Sequence, residues 1–348
     1  MTAATPAAAV PGSASPAADQ TATLLLPGLP AAGPAACRLP GLGVIRARGD
    51  DAASFLQGQL TQDVVGLPVG QWRLAGWCSP KGRLLASFAT WRVAPDEFVL
   101  VCSADLLPPT LKRLSMFVLR AKCKLADASA ELAVWGIAMP GAGAEGALGA
   151  QGDATALAGG VALRLADATP GPVGAAGDSQ AGGLARALWL APPEAPAPVT
   201  DALDPQAWDW LEVRSAVPRI VARTADAFVP QMINFEAVGG VHFQKGCYPG
   251  QEVVARSQYR GTLKRRAMPA VLEAAAAPGD EVFSAADPGQ PCGQVVLAAD
   301  WAGAGDLAHV ALVEMKLAHV EGSALHLASA EGPRLRLEAL PYDLPPQD

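Results

Sequence analysis

Aromatic residues are scarce, at 5% of the 348 residues, so a core must be built mostly from Leu, Val and Ala. The six cysteines, at 37, 78, 102, 123, 247 and 292, form no Cys-x-x-Cys pair, and the four histidines, at 242, 309, 319 and 326, complete no zinc-finger spacing. Scattered cysteines in domains of ordinary size fit a reducing compartment better than a disulfide framework. No apolar run reaches the roughly 18 residues that a membrane-spanning helix needs. The first 36 residues hold no Lys or Arg, so no basic region opens a secretory signal and no targeting segment is read. The cytoplasm is the expected location, with no membrane partner. A glycine-rich phosphate loop, a dinucleotide fingerprint, a His-Glu-x-x-His pair, a nucleophile elbow and an EF-hand loop are all missing. Net charge is −7, which argues against an overall footprint for duplex nucleic acid, and no direct nucleic-acid partner is expected.

A chain of this length holds two or three domains. Residues 1–36 are rich in Ala and Pro and are read as a disordered tail, with one apolar patch, Leu24 to Leu26, as a possible docking strand. Order is expected near Cys37. Alternation places strands over 43–49 and Trp72 to Cys78, the latter turning at Pro80-Lys81-Gly82 into a strand over 83–92. Further strands are read at 97–103, 122–127 and 131–138. Helices are read over 52–60, with Asp50 or Asp51 as N-cap, and over 109–116. Residues 140–200 read mostly as loops, with short strands at 161–165 and 185–190. Helices follow over 205–214 and 250–258. Six short strand-like runs between 265 and 339 suggest a small β-barrel.

The densest chemistry is Lys245-Gly246-Cys247-Tyr248-Pro249-Gly250-Gln251-Glu252: a thiol, an amine, a phenol, an amide and a carboxylate on a sharp backbone. It reads either as a tight turn with Cys247 as small apolar filling, or as a loop presenting a reactive thiol. Gln57, Gln59, Thr61, Gln62 and Asp63 form a second polar cluster at a helix end. Lys81 sits in a hairpin turn. Gln231 and Asn234 lie between apolar residues, where an amide must bond to backbone or to a ligand. Arg256, Arg260, Lys264, Arg265 and Arg266 form the clear basic run of an acidic chain, either a charged helix end or an attractor for an anionic ligand tail.

The signature at 245–252 resembles that of the YgfZ-type folate-binding proteins, relatives of the aminomethyltransferase (T-protein) of the glycine cleavage system. Phe55-Leu56-Gln57-Gly58-Gln59-Leu60-Thr61-Gln62-Asp63-Val64, Ser79-Pro80-Lys81-Gly82-Arg83, Phe117 to Lys122 and Phe228 to Asn234 resemble further family segments, in the same order, from about 40 to 270. The resemblance implies an α+β, aminomethyltransferase-like three-domain ring. Residues 38–130 with 200–262 would form a ferredoxin-like, folate-binding α/β domain. Residues 131–199 would form a second α/β domain, and 263–345 a C-terminal β-barrel. It implies a tetrahydrofolate or derivative as cofactor, and iron–sulfur client enzymes as partners, one of them modifying tRNA. Cys247 and Lys245 would carry the chemistry, as cluster ligand or nucleophile, with Gly246, Tyr248, Gly250, Gln251 and Glu252 in support. Folate contacts are expected from Gln57, Gln59, Thr61, Asp63, Lys81, Gln231, Asn234, Arg256 and Arg260. No metal site is expected. The alternative is a folate-dependent aminomethyl or one-carbon transferase. Two departures stand out: Ala216 where relatives often have Gly, and Pro249 where Thr is common.

Overall fold

The computed structural model describes residues 26–171, 183–260, 263–320, 322 and 324–345. The expected disordered tail lies outside the described residues up to position 25. Order begins earlier than Cys37: Leu29 is buried and Leu26 packs against the core.

The chain enters through β1 (Ala35–Arg38). It then builds β2 (Leu42–Arg48), α1 (Ala52–Gln57), β3 (Trp72–Cys78), β4 (Leu84–Ala94), β5 (Glu97–Ser103), α2 (Leu107–Ser115) and β6 (Lys124–Asp127). Strands β2 to β6 form an antiparallel sheet in the order β3-β4-β5-β2-β6. Alternating Leu, Phe, Val and Trp along these strands put one face into the core. Helix α1 stops short of the expected Leu60: the amides of Gln59 and Leu60 both turn back to the Leu56 carbonyl, and the Lys245 amine takes the carbonyls of Gln57 and Leu60.

β7 (Ala133–Pro140), α3 (Ala144–Leu148), β8 (Ala154–Leu157), β9 (Gly160–Arg164), β10 (Leu184–Ala191) and β11 (Asp201–Ala202) follow. With β1 they form a six-stranded sheet in the order β11-β1-β7-β10-β9-β8. Helix α4 (Pro205–Arg214) starts on Asp204, whose carboxylate accepts from the Gln206 amide at 2.9 Å, with Pro205 in its first turn. After α5 (Gln251–Tyr259), β12 (Arg265–Leu272), β13 (Glu281–Ser284), β14 (Asp287–Asp300), β15 (His309–Lys316), β16 (Leu325–Leu327) and β17 (Arg334–Leu337) close a six-stranded barrel. One core cluster runs through both sheets, α4 and the near wall of the barrel. Among the described residues no helix is long and apolar enough to cross a membrane.

Ala216 takes φ +54°, in the left-handed region, while fully buried. That costs a non-glycine residue roughly 1–2 kcal/mol. Tyr342 donates its hydroxyl to the Ala216 carbonyl at 2.9 Å and helps hold the turn.

Candidate functional site

The signature loop is a type II turn docked onto a hairpin. The Gln251 amide donates to the Tyr248 carbonyl at 3.2 Å, with Pro249 and Gly250 between them. Gly250 sits at φ +79°, ψ 2°, the geometry of the third turn position, and proline favours the second. A Cβ on Gly250 would meet the Ser79 carbonyl and lie 2.7 Å from Gly82 Cα. Gly82, itself at φ +72°, turns β3 into β4 and faces the Gly250 carbonyl in return. Two motifs far apart in sequence thus touch backbone to backbone, and only glycine permits it. Pro249 pre-sets the turn. Pro249→Thr is expected to lower stability by about 0.4–1 kcal/mol through a freer unfolded chain, read from urea unfolding midpoints at unchanged slope.

Lys245 reaches the other way. Its amine donates to the carbonyls of Gln57 and, at 2.7 Å, Leu60, and lies 5.0 Å from the Tyr248 ring centroid. This ties the loop to the open end of α1, where a cation suits the free carbonyls. Burial pushes the Lys245 amine down to about 8, against the opposing pull of Asp63 and Cys247. Below that pH it is an ammonium; above it, a free amine. Competitive acylation across pH is expected to show Lys245 reacting with a midpoint near 8, well before an ordinary lysine at about 10.4.

Tyr248 is buried, and burial drives its phenol further up. Gly246 has open space around it and Gln251 is half-buried. Glu252 is exposed and pairs with Arg256 at 3.4 Å. Cys247 is the one exposed cysteine; Cys37, Cys78, Cys102, Cys123 and Cys292 are buried, and burial raises their thiols, the first three to about 12. Among the described residues no three His, Cys, Asp or Glu side chains gather as a metal site.

A cavity of about 760 Å³ opens between the two sheets and α4. Trp72, Leu74, Phe88 and Val101 wall it from one sheet, Leu188 from the other, and Trp208 from α4. Its polar lining is Asp63, Arg73, Arg164, Arg186, Glu212, Arg219 and His242, among others. Arg219 clamps Glu212 with two bonds, 2.8 and 2.6 Å. Burial pushes the Glu212 carboxyl up, but Arg219 more than offsets this and holds it below its ordinary value. Four arginines face two carboxylates, so the cavity is cationic within an acidic chain.

Of the residues expected to meet folate, Asp63 lines this cavity. The others lie around it or away from it. The Gln57 amide bonds Asp63 at 3.1 Å and accepts from the Val64 and Val65 amides. Thr61 donates to the Gly240 carbonyl at 2.6 Å and accepts from the Gly76 amide at 2.8 Å. Gln231 donates to the Val254 carbonyl at 2.9 Å, and Asn234 to that of Ala267 at 2.8 Å, joining α5 and the barrel. Among the described residues Gln59 and Gln231 each keep one buried side-chain carbonyl oxygen without a partner. Lys81, Arg256 and Arg260 are exposed. The basic run is not one free patch: Arg256 pairs with Glu252, Arg265 with Glu314, and Arg266 is buried against Glu236. The cavity cations and Glu212 carry no local motif. The one sequence signal is Trp208 and Glu212, four apart on a helix and so on one face.

A family profile described as "GCVT N-terminal domain" matches residues 38–151. The crystal structure of glycine cleavage system aminomethyltransferase T from Bartonella henselae superposes with a TM-score of 0.63 over 90% of this chain and 87% of that one, at 16% identity. The fold is therefore aminomethyltransferase-like. In sequence, tRNA-modifying protein YgfZ of Vibrio vulnificus (strain CMCP6) is 32% identical over 228 residues, covering 65% of this chain and 67% of that protein. The namesake from Edwardsiella ictaluri is 35% identical over 228 residues, 64% of this chain and 66% of that one. An uncharacterized protein of Haemophilus influenzae is 31% identical over 223 residues, 64% and 68% of the two chains. The chain belongs to the YgfZ family.

Proposed function

We propose that the cavity binds a tetrahydrofolate, and that the protein serves the assembly or repair of iron–sulfur proteins in the cytoplasm, among them an enzyme that modifies tRNA. The 760 Å³ cavity carries this reading: it falls within the roughly 300–1,000 Å³ of small-molecule sites and joins apolar walls to a few convergent polar groups. A reduced pterin needs flat apolar walls, which Trp72, Phe88 and Leu188 supply, and an acceptor for its amino edge, which suits Glu212. Its glutamate tail wants cations; Arg73, whose side chain is 34% exposed, stands where the lining meets solvent. One-carbon carriage is the chemistry a reduced folate supplies when bound. Cys247 offers an exposed thiol to a client, and Lys245 and Gly250 fix the loop that presents it. The names of the YgfZ relatives and the T-protein fold support the reading.

Calorimetry with tetrahydrofolate tests it. The wild type is expected to bind, and Ala166→Phe, which grows a half-buried lining residue into the cavity, to weaken binding at least about tenfold by filling space the ligand needs. No heat with the wild type would remove the folate assignment. Catalysed transfer of a one-carbon unit to tetrahydrofolate by the isolated protein would instead mark a one-carbon transferase.

A further inference from the structure

Among the described residues, Arg186 is the cavity arginine that makes no ion pair. It leaves β10 with 2% of its surface exposed, and its Nε donates to the Ala166 carbonyl at 3.3 Å. Its guanidinium carbon lies 5.4 Å from the Trp208 ring centroid. Among the described residues no carboxylate is within ion-pair distance of it, and its Nη atoms donate to no protein acceptor. The other cavity arginines differ: Arg219 holds Glu212, Arg164 pairs with Asp167, and Arg73 lies 3.9 Å from Asp63. Burial pushes the Arg186 guanidinium down to about 10, so it remains a cation at neutral pH. Glu212 and Asp167 pull on it from beyond ion-pair distance, and a buried cation that no carboxylate bonds directly is costly to keep. Its presence on a cavity wall points to an acceptor that arrives with a ligand.

The neighbourhood narrows that acceptor. Trp208 and Glu212 are one helical turn apart on α4 and share a face, so the guanidinium over Trp208 and the Glu212 carboxylate line the same part of the cavity, beyond ion-pair distance of each other. Guanidinium only donates and carboxylate only accepts. Together they form a template for a planar ring edge that presents N–H donors followed by an oxo acceptor. A pterin edge has that order: exocyclic amino group, ring N–H, ring oxo group.

We infer that Arg186 is a specificity-determining residue that donates to the ring oxo group of a bound pterin, while Glu212 accepts from the adjoining ring N–H and amino group. This rests on the folate reading above. The cavity then selects oxo-pterins and rejects analogues with an amino group in place of the oxo group, because two donors would face each other at Arg186 and the ring nitrogen facing Glu212 would lose its hydrogen.

The test is calorimetry of the full chain with tetrahydrofolate and with tetrahydroaminopterin, its amino-for-oxo counterpart. The wild type is expected to favour tetrahydrofolate by about 10- to 100-fold, the cost of leaving buried donors unpaired. Arg186→Met is expected to lower that ratio at least about threefold by weakening tetrahydrofolate, the remainder resting on Glu212. Arg186→Gln, whose amide can donate or accept, is expected to strengthen the binding of tetrahydroaminopterin relative to tetrahydrofolate when compared with the wild type. Equal affinities in the wild type, or a ratio unchanged by both substitutions, would overturn the role of Arg186 while leaving folate binding intact. Failure of the wild type to bind either compound would overturn the folate reading and this inference together. The wild-type ratio needs no variant, so a substitution that fails to fold leaves the test standing.

Discussion

Arg214→Met is expected to lower unfolding stability by about 3–5 kcal/mol, the cost of stripping a buried charge of its partner. Arg214, near the end of α4, pairs with Glu338 just past β17, and both side chains are 1% exposed. Its Nε also donates to the Thr169 carbonyl at 3.0 Å and its Nη2 to that of Gly171, with the guanidinium 5.6 Å from the Trp210 ring centroid. One side chain therefore ties the helix, the loop before the second sheet's last long strand, and the barrel. Methionine preserves much of the packed stem but leaves Glu338 with Arg336, an exposed partner at 3.4 Å. The second half of the experiment isolates the cause. Arg214→Met combined with Glu338→Leu removes both charges and is expected to recover most of the loss, because the price of a buried pair lies mainly in desolvation. Urea unfolding of the two variants separates the outcomes. A single substitution costing under about 1 kcal/mol would mean the pair is hydrated in solution.

The elements legible in the sequence are those whose pattern is local. Strand β3 falls at Trp72–Cys78 as expected, and α4 at Pro205–Arg214, because alternation in one and an Asp-Pro start in the other need no distant partner. The six barrel strands were likewise marked by short apolar runs between turn residues. In the middle of the chain β9 and β10 fall on the strands expected at 161–165 and 185–190, while the elements around them were not legible. Helix α3 and strand β8 are built mostly from Ala, Gly, Thr and Leu with little periodicity, and β1 and β11 are short pieces ordered by pairing, β11 with β1 and β1 with β7. The site divides in the same way. The signature and the hairpin turn could be singled out by residue type, but their contact through Gly250 and Gly82 is a property of the fold. The polar cavity wall was missed because Arg73, Arg164, Arg186 and Glu212 come from β3, β9, β10 and α4, one from each. The rule that a buried amide bonds either backbone or ligand left both options open for Gln231 and Asn234; their amide nitrogens bond backbone carbonyls.

Cys247→Ala is expected to abolish function while leaving stability within about 0.5 kcal/mol, as for a surface change away from the core. The thiol is exposed and its loop is held by other residues: Lys245 on the carbonyls of Gln57 and Leu60, Tyr248 buried beneath, Gly250 against Gly82. The measurement is restoration of iron–sulfur enzyme activity in a strain lacking its own family member, beside thermal melts of the purified protein. Gly250→Val supplies the contrast. A side chain there carries roughly 1–2 kcal/mol of left-handed strain and meets the backbone of Ser79 and Gly82, so the turn must lift from the hairpin. This variant keeps the thiol but loses its placement, and is expected to fail the same assay with a lower melting temperature. Thiol alkylation completes the comparison. In the native wild type one of the six cysteines should react quickly, the five buried thiols reacting only after unfolding. If Cys247→Ala restores the enzymes fully while Gly250→Val does not, the loop serves as a docking shape and the thiol has no chemical part.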